Sequence, residues 1–283
     1  MKYSFSRYLA AKRGIDDRSF SEHVWRVLVQ SFPDRPLAIL EAGSGTGTMI
    51  ERLAARGIPG QGGLYTAVDA SRDYIEECRQ RVGGMALDFE LELEAADIHE
   101  FAAREAGHRV WDLLVAHAFL DLVHVPSLLP QLFALMRPGG LFYFTVNFDG
   151  LTAFLPPVAR DLDERIVAHY HRTMDERSVR GRPTGGSRAG RQLLTQVPAA
   201  GGEILAAGAS DWVVLPQSRG YAGDEAYFLQ HILHFFENSL SGRPDMDAGV
   251  LSSWLAERRR QIDAGQLIFI AHQLDICGRV GQV

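Results

Sequence analysis

Short apolar runs alternate along the first half of this chain with stretches whose apolar positions recur at helical spacing. Leu37-Ala38-Ile39-Leu40, Leu64–Val68, Phe89–Ala95, Trp111–Ala116 and Gly140–Val146 read as five strands. Helical patterns fill the gaps: Met49 to Arg56, Arg72 to Arg81, and a helix that Pro126 opens and Met136-Arg137-Pro138-Gly139-Gly140 stops. Strands this continuously apolar are buried on both faces, and helices between them supply the crossovers that parallel strands need. The pattern therefore predicts an α/β chain with a parallel sheet covered on two sides.

The first strand runs into Glu41-Ala42-Gly43-Ser44-Gly45-Thr46-Gly47. Glycine adopts positive φ at little cost, and its missing side chain lets a ligand reach the backbone. A dinucleotide loop of the Gly-x-Gly-x-x-Gly type is not matched, because the third glycine falls one place early and Thr48 occupies the sixth position. Two further acids close strands: Asp69, followed by the N-cap residue Ser71, and Asp97 in Ala96-Asp97-Ile98. Taken alone, Asp69 reads as a turn or helix-flanking cap rather than as a ligand.

Glu41-x-Gly43-x-Gly45-x-Gly47 resembles the first motif of the class I S-adenosylmethionine-dependent methyltransferases. The order of glycine loop, Asp69 and Asp97, and the Arg-Pro-Gly-Gly turn before the fifth strand, are similar as well, so the resemblance spans residues 37–147. It implies S-adenosyl-L-methionine as cofactor. Gly43, Ser44, Gly45 and Gly47 would back its amino-acid end, with Glu41 near the ammonium. Asp69, beside Ala70, would accept ribose hydroxyls, Asp97 and Ile98 would meet the adenine, and His117 and Ala118 would line the methionine and sulfonium side.

Beyond Val146 the pattern departs from a minimal core. A helical stretch begins near Pro157 and another spans Ala189 to Val197. Gly202–Ala207 and Trp212–Leu215 read as an extended sixth strand broken near Gly208. Helices follow at Asp224–Leu240, with Phe228, Ile232, Phe235 and Phe236 as its apolar stripe, and at Leu251–Ile262. Gln266–His272 reads as an antiparallel seventh strand. The expected fold is a Rossmann-like seven-stranded sheet, six strands parallel and one antiparallel, in a single domain over 1–283. Within it, 1–36 form a helical lid, 37–147 the cofactor core, 148–200 a substrate cap, and 201–283 the last strands with a helical insertion at 224–263. Tyr8 or Arg13 of the lid would touch the cofactor carboxylate, or simply dock the helix.

Composition narrows the function. Of 283 residues, 46% are hydrophobic, ample for a buried core. A formal net charge of -6 argues against a broad nucleic-acid footprint, which needs clustered cations to neutralise phosphates. Cys78 and Cys277 are too few for a disulfide framework and lack metal-site spacing, so no metal and a cytoplasmic, reducing setting are expected. No stretch approaches the roughly 18 apolar residues of a membrane span.

The acceptor is harder to read. Methyltransferases acting on adenine or glutamine nitrogens resemble one another in an Asn/Asp-Pro-Pro-Tyr/Phe turn after strand four. Here that position reads His117-Ala118-Phe119-Leu120-Asp121-Leu122, which argues against both substrates. His117 serves as general base, as pocket lining, or as a plain strand-end histidine. Asn147 and Asp149, expected at the carboxyl end of strand five, are substrate candidates, although Asp149-Gly150 also reads as a turn. His169 and His171 are two residues apart, on different helix faces, and are candidates for substrate rather than for a shared metal. Arg177, Arg180, Arg182, Arg188 and Arg191 occur with no acid between Glu176 and Glu203. They form a carboxylate or phosphate receptor, with Arg188 the preferred residue, or a solvated basic loop. The expectation is a small-molecule methyltransferase, monomeric or homodimeric. An aminopropyl transferase and a catalytically inactive cofactor-binding partner are the alternatives.

Overall fold

The computed structural model describes residues 3–281. Two helices, α1 (Phe5–Ser19) and α2 (Glu22–Gln30), precede the alternating core: β1 (Ala38–Ala42), α3 (Thr48–Ala54), β2 (Leu64–Asp69), α4 (Arg72–Val82), β3 (Glu90–Ala95), α5 (Ile98–Glu105), β4 (Trp111–His117), α6 (Val125–Phe133) and β5 (Met136–Leu155). Then come α7 (Arg160–Asp175), a small hairpin of β6 (Ser178–Val179) and β7 (Arg182–Pro183), α8 (Ala189–Ala199), β8 (Gly202–Ala209), β9 (Trp212–Val214), α9 (Glu225–Leu240), α10 (Ala248–Asp263) and β10 (Ile268–Val280).

The sheet runs β3-β2-β1-β4-β5-β10-β8, with β9 on the free half of β10. Strands β1 to β5 are parallel; β10 is antiparallel to β5, β8 and β9. The expected six-plus-one sheet is present, and the sixth strand is broken as anticipated, at Ser210 and Asp211 rather than at Gly208. The larger difference lies in β5. Its sequence partners at Asn147, Asp149 and Gly150 suggested an end, yet the strand continues to Leu155 and pairs with β10 from Leu155↔Ile268 to Leu141↔Arg279. The polar residues are absorbed locally: Asn147 donates to the Leu274 carbonyl at 2.9 Å, and Asp149 accepts from the Arg191 amide at 2.8 Å. Asp149-Gly150 is thus strand, not turn. Register shifts at Ala271/Gln273 and Leu274/Ile276 mark irregularities of the kind that bend a ribbon.

Both sheet faces are covered. Helices α5, α6 and α8 bury Phe101, Leu128, Leu132 and Leu193 on one side. On the other, α2, α3 and α4 bury Leu28, Ile50, Leu53 and Cys78. A third core sits around the projecting half of the β5–β10 ribbon, where Ile15 of α1, Ile166 of α7, Phe228 and Phe236 of α9 and Trp254 of α10 pack with Phe154 and Phe269. This is the cap. Of the N-terminal helices only α1 joins it, because α2 packs on the sheet. Among the described residues no helix is long and apolar enough to cross a membrane.

Candidate active site

The glycine loop is held to the end of β2 by hydrogen bonds from both sides. The Gly43 and Ser44 amides donate to the Val68 carbonyl at 2.9 and 3.0 Å. Asp69 receives the Gly45 amide on one oxygen at 2.9 Å and the Ser71 amide on the other at 2.8 Å. Gly43 has φ +73° and a Cβ there would enter the Phe119 ring, so only glycine fits.

Two cavities open over the strand ends and share Phe5, Gly43, Asp69, Tyr74, Phe119 and Leu122 as a common wall. The larger, about 760 Å³, lies over β2 and β3 and includes Ala70, Asp97 and Ile98. Asp97 caps α5 by accepting the His99 amide at 2.9 Å, and Arg180 of the β6–β7 turn reaches its other oxygen at 3.1 Å. The smaller, about 390 Å³, runs from Ser44, Gly45 and Thr46 past His117 and Ala118 into the cap. Together they form one cleft outside the carboxyl ends of the strands, where open α/β sheets bind ligands.

Under the loop lies a buried charge cluster. Asp16 of α1 accepts Lys12 Nζ at 2.6 Å, His117 Nε2 at 3.0 Å, Arg52 Nη2 at 3.4 Å and Trp212 Nε1 at 3.0 Å. Burial pushes the Asp16 carboxyl up, but Lys12, His117 and Arg52 outweigh it and hold it well below the usual range. His117 is lowered as well, to about 4, because of burial and the neighbouring Lys12, so it stays neutral. A neutral His117 donates from Nε2 to Asp16 and accepts the Thr145 hydroxyl at Nδ1, 2.9 Å away. Both ring nitrogens are thus engaged, and the general-base reading of His117 finds no free nitrogen. Facing this cluster, the hydroxyls of Ser44 and Thr46 are buried without a hydrogen-bond partner.

Two backbone positions on the cavity wall are strained. Ala118 has φ +48° and Val146 φ +57°, a conformation that is an outlier for a β-branched residue. The Val146 amide is pinned at 2.8 Å by Asp275, whose second oxygen takes the Ser21 amide at 2.9 Å.

None of the five substrate candidates lines the cleft. Asn147 and Asp149 are locked inside the β5–β10 ribbon, for the reason given above. His169 turns outward to Asp245 at 3.1 Å. His171 stands behind the wall, with Nε2 3.0 Å from the Thr152 hydroxyl. Arg188 occupies the N-cap position of α8, packed beside Gly150. Of the arginine series, Arg177 lines the smaller cavity and Arg180 and Arg182 the larger. Tyr8 lines the smaller cavity, whereas Arg13 faces Glu51 at 2.7 Å.

Residues 39–140 match the family model described as a methyltransferase domain. The segment from β1 to the start of β5 is thus a methyltransferase domain. Its cofactor is S-adenosyl-L-methionine. Similar solved structures include a methyltransferase from Methanosarcina mazei, 14% identical, TM-score 0.48, covering 90% of this chain and 97% of that one. A cyclopropane synthase from Mycobacterium tuberculosis is 11% identical, TM-score 0.47, covering 90% and 82%. A putative sarcosine dimethylglycine methyltransferase from Galdieria sulphuraria is 12% identical, TM-score 0.45, covering 92% and 85%. No curated protein matches the chain. At such likeness the details of binding rest on this methyltransferase's own residues.

Glu41 differs from its expected place. Its side chain is absent from the cleft wall and accepts the Tyr65 hydroxyl at 2.8 Å in the core. Burial raises its carboxyl to about 8, against a smaller downward pull from Tyr65. A raised folded-state pKa contributes stability that is complete below the unfolded value and lost as pH climbs through the folded one. Glu41→Gln mimics the protonated acid, so its melting temperature should match the parent at about pH 4 and exceed it increasingly up to about pH 9. A difference that stays constant across that range would show that burial does not raise the Glu41 carboxyl in the folded protein.

Proposed function

We propose that the chain transfers the methyl group of S-adenosyl-L-methionine to a small-molecule acceptor bound in the cap end of the cleft. The observation that carries this reading is the asymmetry of the cleft. One end presents Asp69 and Asp97 beside a broad opening over β2 and β3, and the other is an aromatic chamber roofed by α1, α7 and α9. In this reading Asp69 holds the ribose, Asp97 and Ile98 flank the adenine, and the glycine loop with Ala118 backs the methionine.

The charge cluster adds a site for the cofactor's carboxylate. Lys12 is 5% exposed and shares its one carboxylate partner, Asp16, with Arg52. Arg52 is also held by Asp17, so it needs only part of the Asp16 carboxylate, and Lys12 keeps donor capacity toward the cavity, where the unpartnered Ser44 and Thr46 hydroxyls supply further donors. An anion bound there satisfies all three groups. This favours the full cofactor over the decarboxylated one that an aminopropyl transferase uses. The sulfonium supplies an activated methyl group, so holding the acceptor atom in line with it provides much of the rate. A chamber enclosed by cap helices suits a small acceptor rather than a macromolecule. Buried, unpaired Cys78 and Cys277 suit a reducing cytoplasm.

Lys12→Met tests the placement by calorimetry. S-adenosylhomocysteine should bind the variant about tenfold or more weakly, the loss of one charge-assisted hydrogen bond of about 1.5–3 kcal/mol. 5′-Methylthioadenosine, which lacks the amino-acid end, should bind both proteins alike. Equal weakening of both ligands would remove the carboxylate assignment.

A further inference from the structure

Past the methionine end of the cleft, three unused polar groups meet in an otherwise apolar chamber. Tyr170, Met174 and Arg177 lie at i, i+4 and i+7, so the last turns of α7 and the residue just beyond it present one face to the cavity. Opposite them, Asp121 projects from the short 3-10 turn after β4. Phe148 and Phe236 form the walls, with Tyr170 stacked on Phe236 at a centroid distance of 3.9 Å. Among the described residues, Asp121 and Arg177 form no ion pair with each other or with a third group, while the Tyr170 hydroxyl lies within reach of Arg177. The remaining polar neighbour, Gln273 on β10, is 2% exposed and likewise leaves its amide without a partner in the cavity wall.

A carboxylate, a guanidinium, a phenol hydroxyl and an amide converging on one otherwise apolar cavity mark a binding site for a polar group of a ligand. Asp121 and Arg177 carry opposite charges and sense each other without touching: burial raises the Asp121 carboxyl, and Arg177 draws it back down. Their charges cancel, which disfavours a charged head group and fits a neutral one that donates to the carboxylate while accepting from the guanidinium. A hydroxyl on a ring does both, and the aromatic walls suit the ring.

We propose that the acceptor is a neutral hydroxyaryl compound whose hydroxyl donates to Asp121, and that Asp121 is the general base of an O-methylation. This rests on the cofactor reading above. In the transfer the acceptor oxygen forms the new C–O bond, the C–S bond breaks with its electron pair passing to the sulfonium sulfur, and the hydroxyl proton moves to the Asp121 carboxylate. Arg177 and Tyr170 hold the oxygen as negative charge develops on it. The product leaves as a methyl ether and Asp121 returns its proton to water.

Phenol, catechol and 2-naphthol serve as hydroxyl probes, with benzylamine and benzoate as charged controls, and S-adenosylhomocysteine release is measured at fixed cofactor. The hydroxyl probes should turn over and the charged ones should not. Asp121→Asn should lower kcat by about 100-fold or more, while affinity for S-adenosylhomocysteine stays unchanged. It should also abolish the acid limb of the kcat profile, a limb set by Asp121 with Lys12 and Tyr8 facing it from α1 and Tyr170 and Arg177 from α7. Turnover of benzylamine or benzoate alone, or an Asp121→Asn enzyme with parental kcat and pH profile, overturns the proposal. So does a protein that binds S-adenosylhomocysteine but shows neither turnover nor saturable binding of any hydroxyl probe by NMR. A protein that fails to bind S-adenosylhomocysteine at all fails at the earlier step, the cofactor reading itself.

Discussion

Replacing Asp16 by alanine should lower the free energy of unfolding by about 3–5 kcal/mol, the cost of removing one partner from a buried ion cluster. Lys12 and Arg52 would remain, with side chains 7% exposed each, facing each other across the gap. His117 and Trp212 would lose the acceptor for their ring N–H groups. Asp17→Ala is the natural comparison, since Asp17 also pairs with Arg52, at 2.6 Å, but is 45% exposed. That change should cost under about 1 kcal/mol, as solvent-exposed pairs do. Urea denaturation of the two variants decides the matter. Equal losses would mean that Asp16 is no more important to the cluster than its exposed neighbour.

The effect matters for function because the cluster lines the glycine-loop end of the cleft. It joins α1, which no strand pairing holds, to the end of β4 through His117 and to α3 through Arg52. A lid helix anchored by charge rather than by sheet pairing keeps Lys12 and Tyr8 on the cavity wall.

Asp69→Ala should weaken S-adenosylhomocysteine binding by about 2–3 kcal/mol, roughly 30- to 150-fold, through two losses at once. The ribose hydroxyls would lose their acceptor, and the Gly45 and Ser71 amides would lose the carboxylate that now fixes the loop to β2. Because 5′-methylthioadenosine keeps the ribose, it should weaken in parallel, unlike its response to Lys12→Met. Asp73→Ala, an exposed acid in the first turn of α4, should bind as the parent does. Calorimetry on the three variants reads these outcomes, and an unchanged affinity for Asp69→Ala would remove the ribose assignment.

The parallel half of the sheet was legible because its signals are local. Apolar runs, a glycine loop with one allowed stereochemistry, and acids at successive strand ends need no knowledge of distant partners. Their placement follows from the periodicity of strand and helix alone. The cap was not legible in the same way. Strand β5 carries Asn147, Asp149 and Gly150, which locally read as an ending, and only pairing with β10 more than a hundred residues later makes them strand. Asn147 and Asp149 were candidates for sitting at that expected strand end, and they lie inside the ribbon instead.

The buried cluster had a signal that went unread. Lys12 and Asp16 are an i, i+4 pair on the same face as Tyr8 and Ile15, and opposite charges on an apolar helix face point to a paired, buried site. Arg52 and His117 gave no comparable sign, because their convergence depends on three separate elements meeting. Asp121 lies in the segment after β4, yet its exposure to a chamber arises only from the docking of α7 and α9.

The central claim is that this cleft binds S-adenosyl-L-methionine. Titration calorimetry of the unaltered protein with S-adenosylhomocysteine, alongside NAD, tests it most directly. S-adenosylhomocysteine should bind saturably at one site per chain and NAD not at all. Binding of NAD with no response to S-adenosylhomocysteine would contradict it.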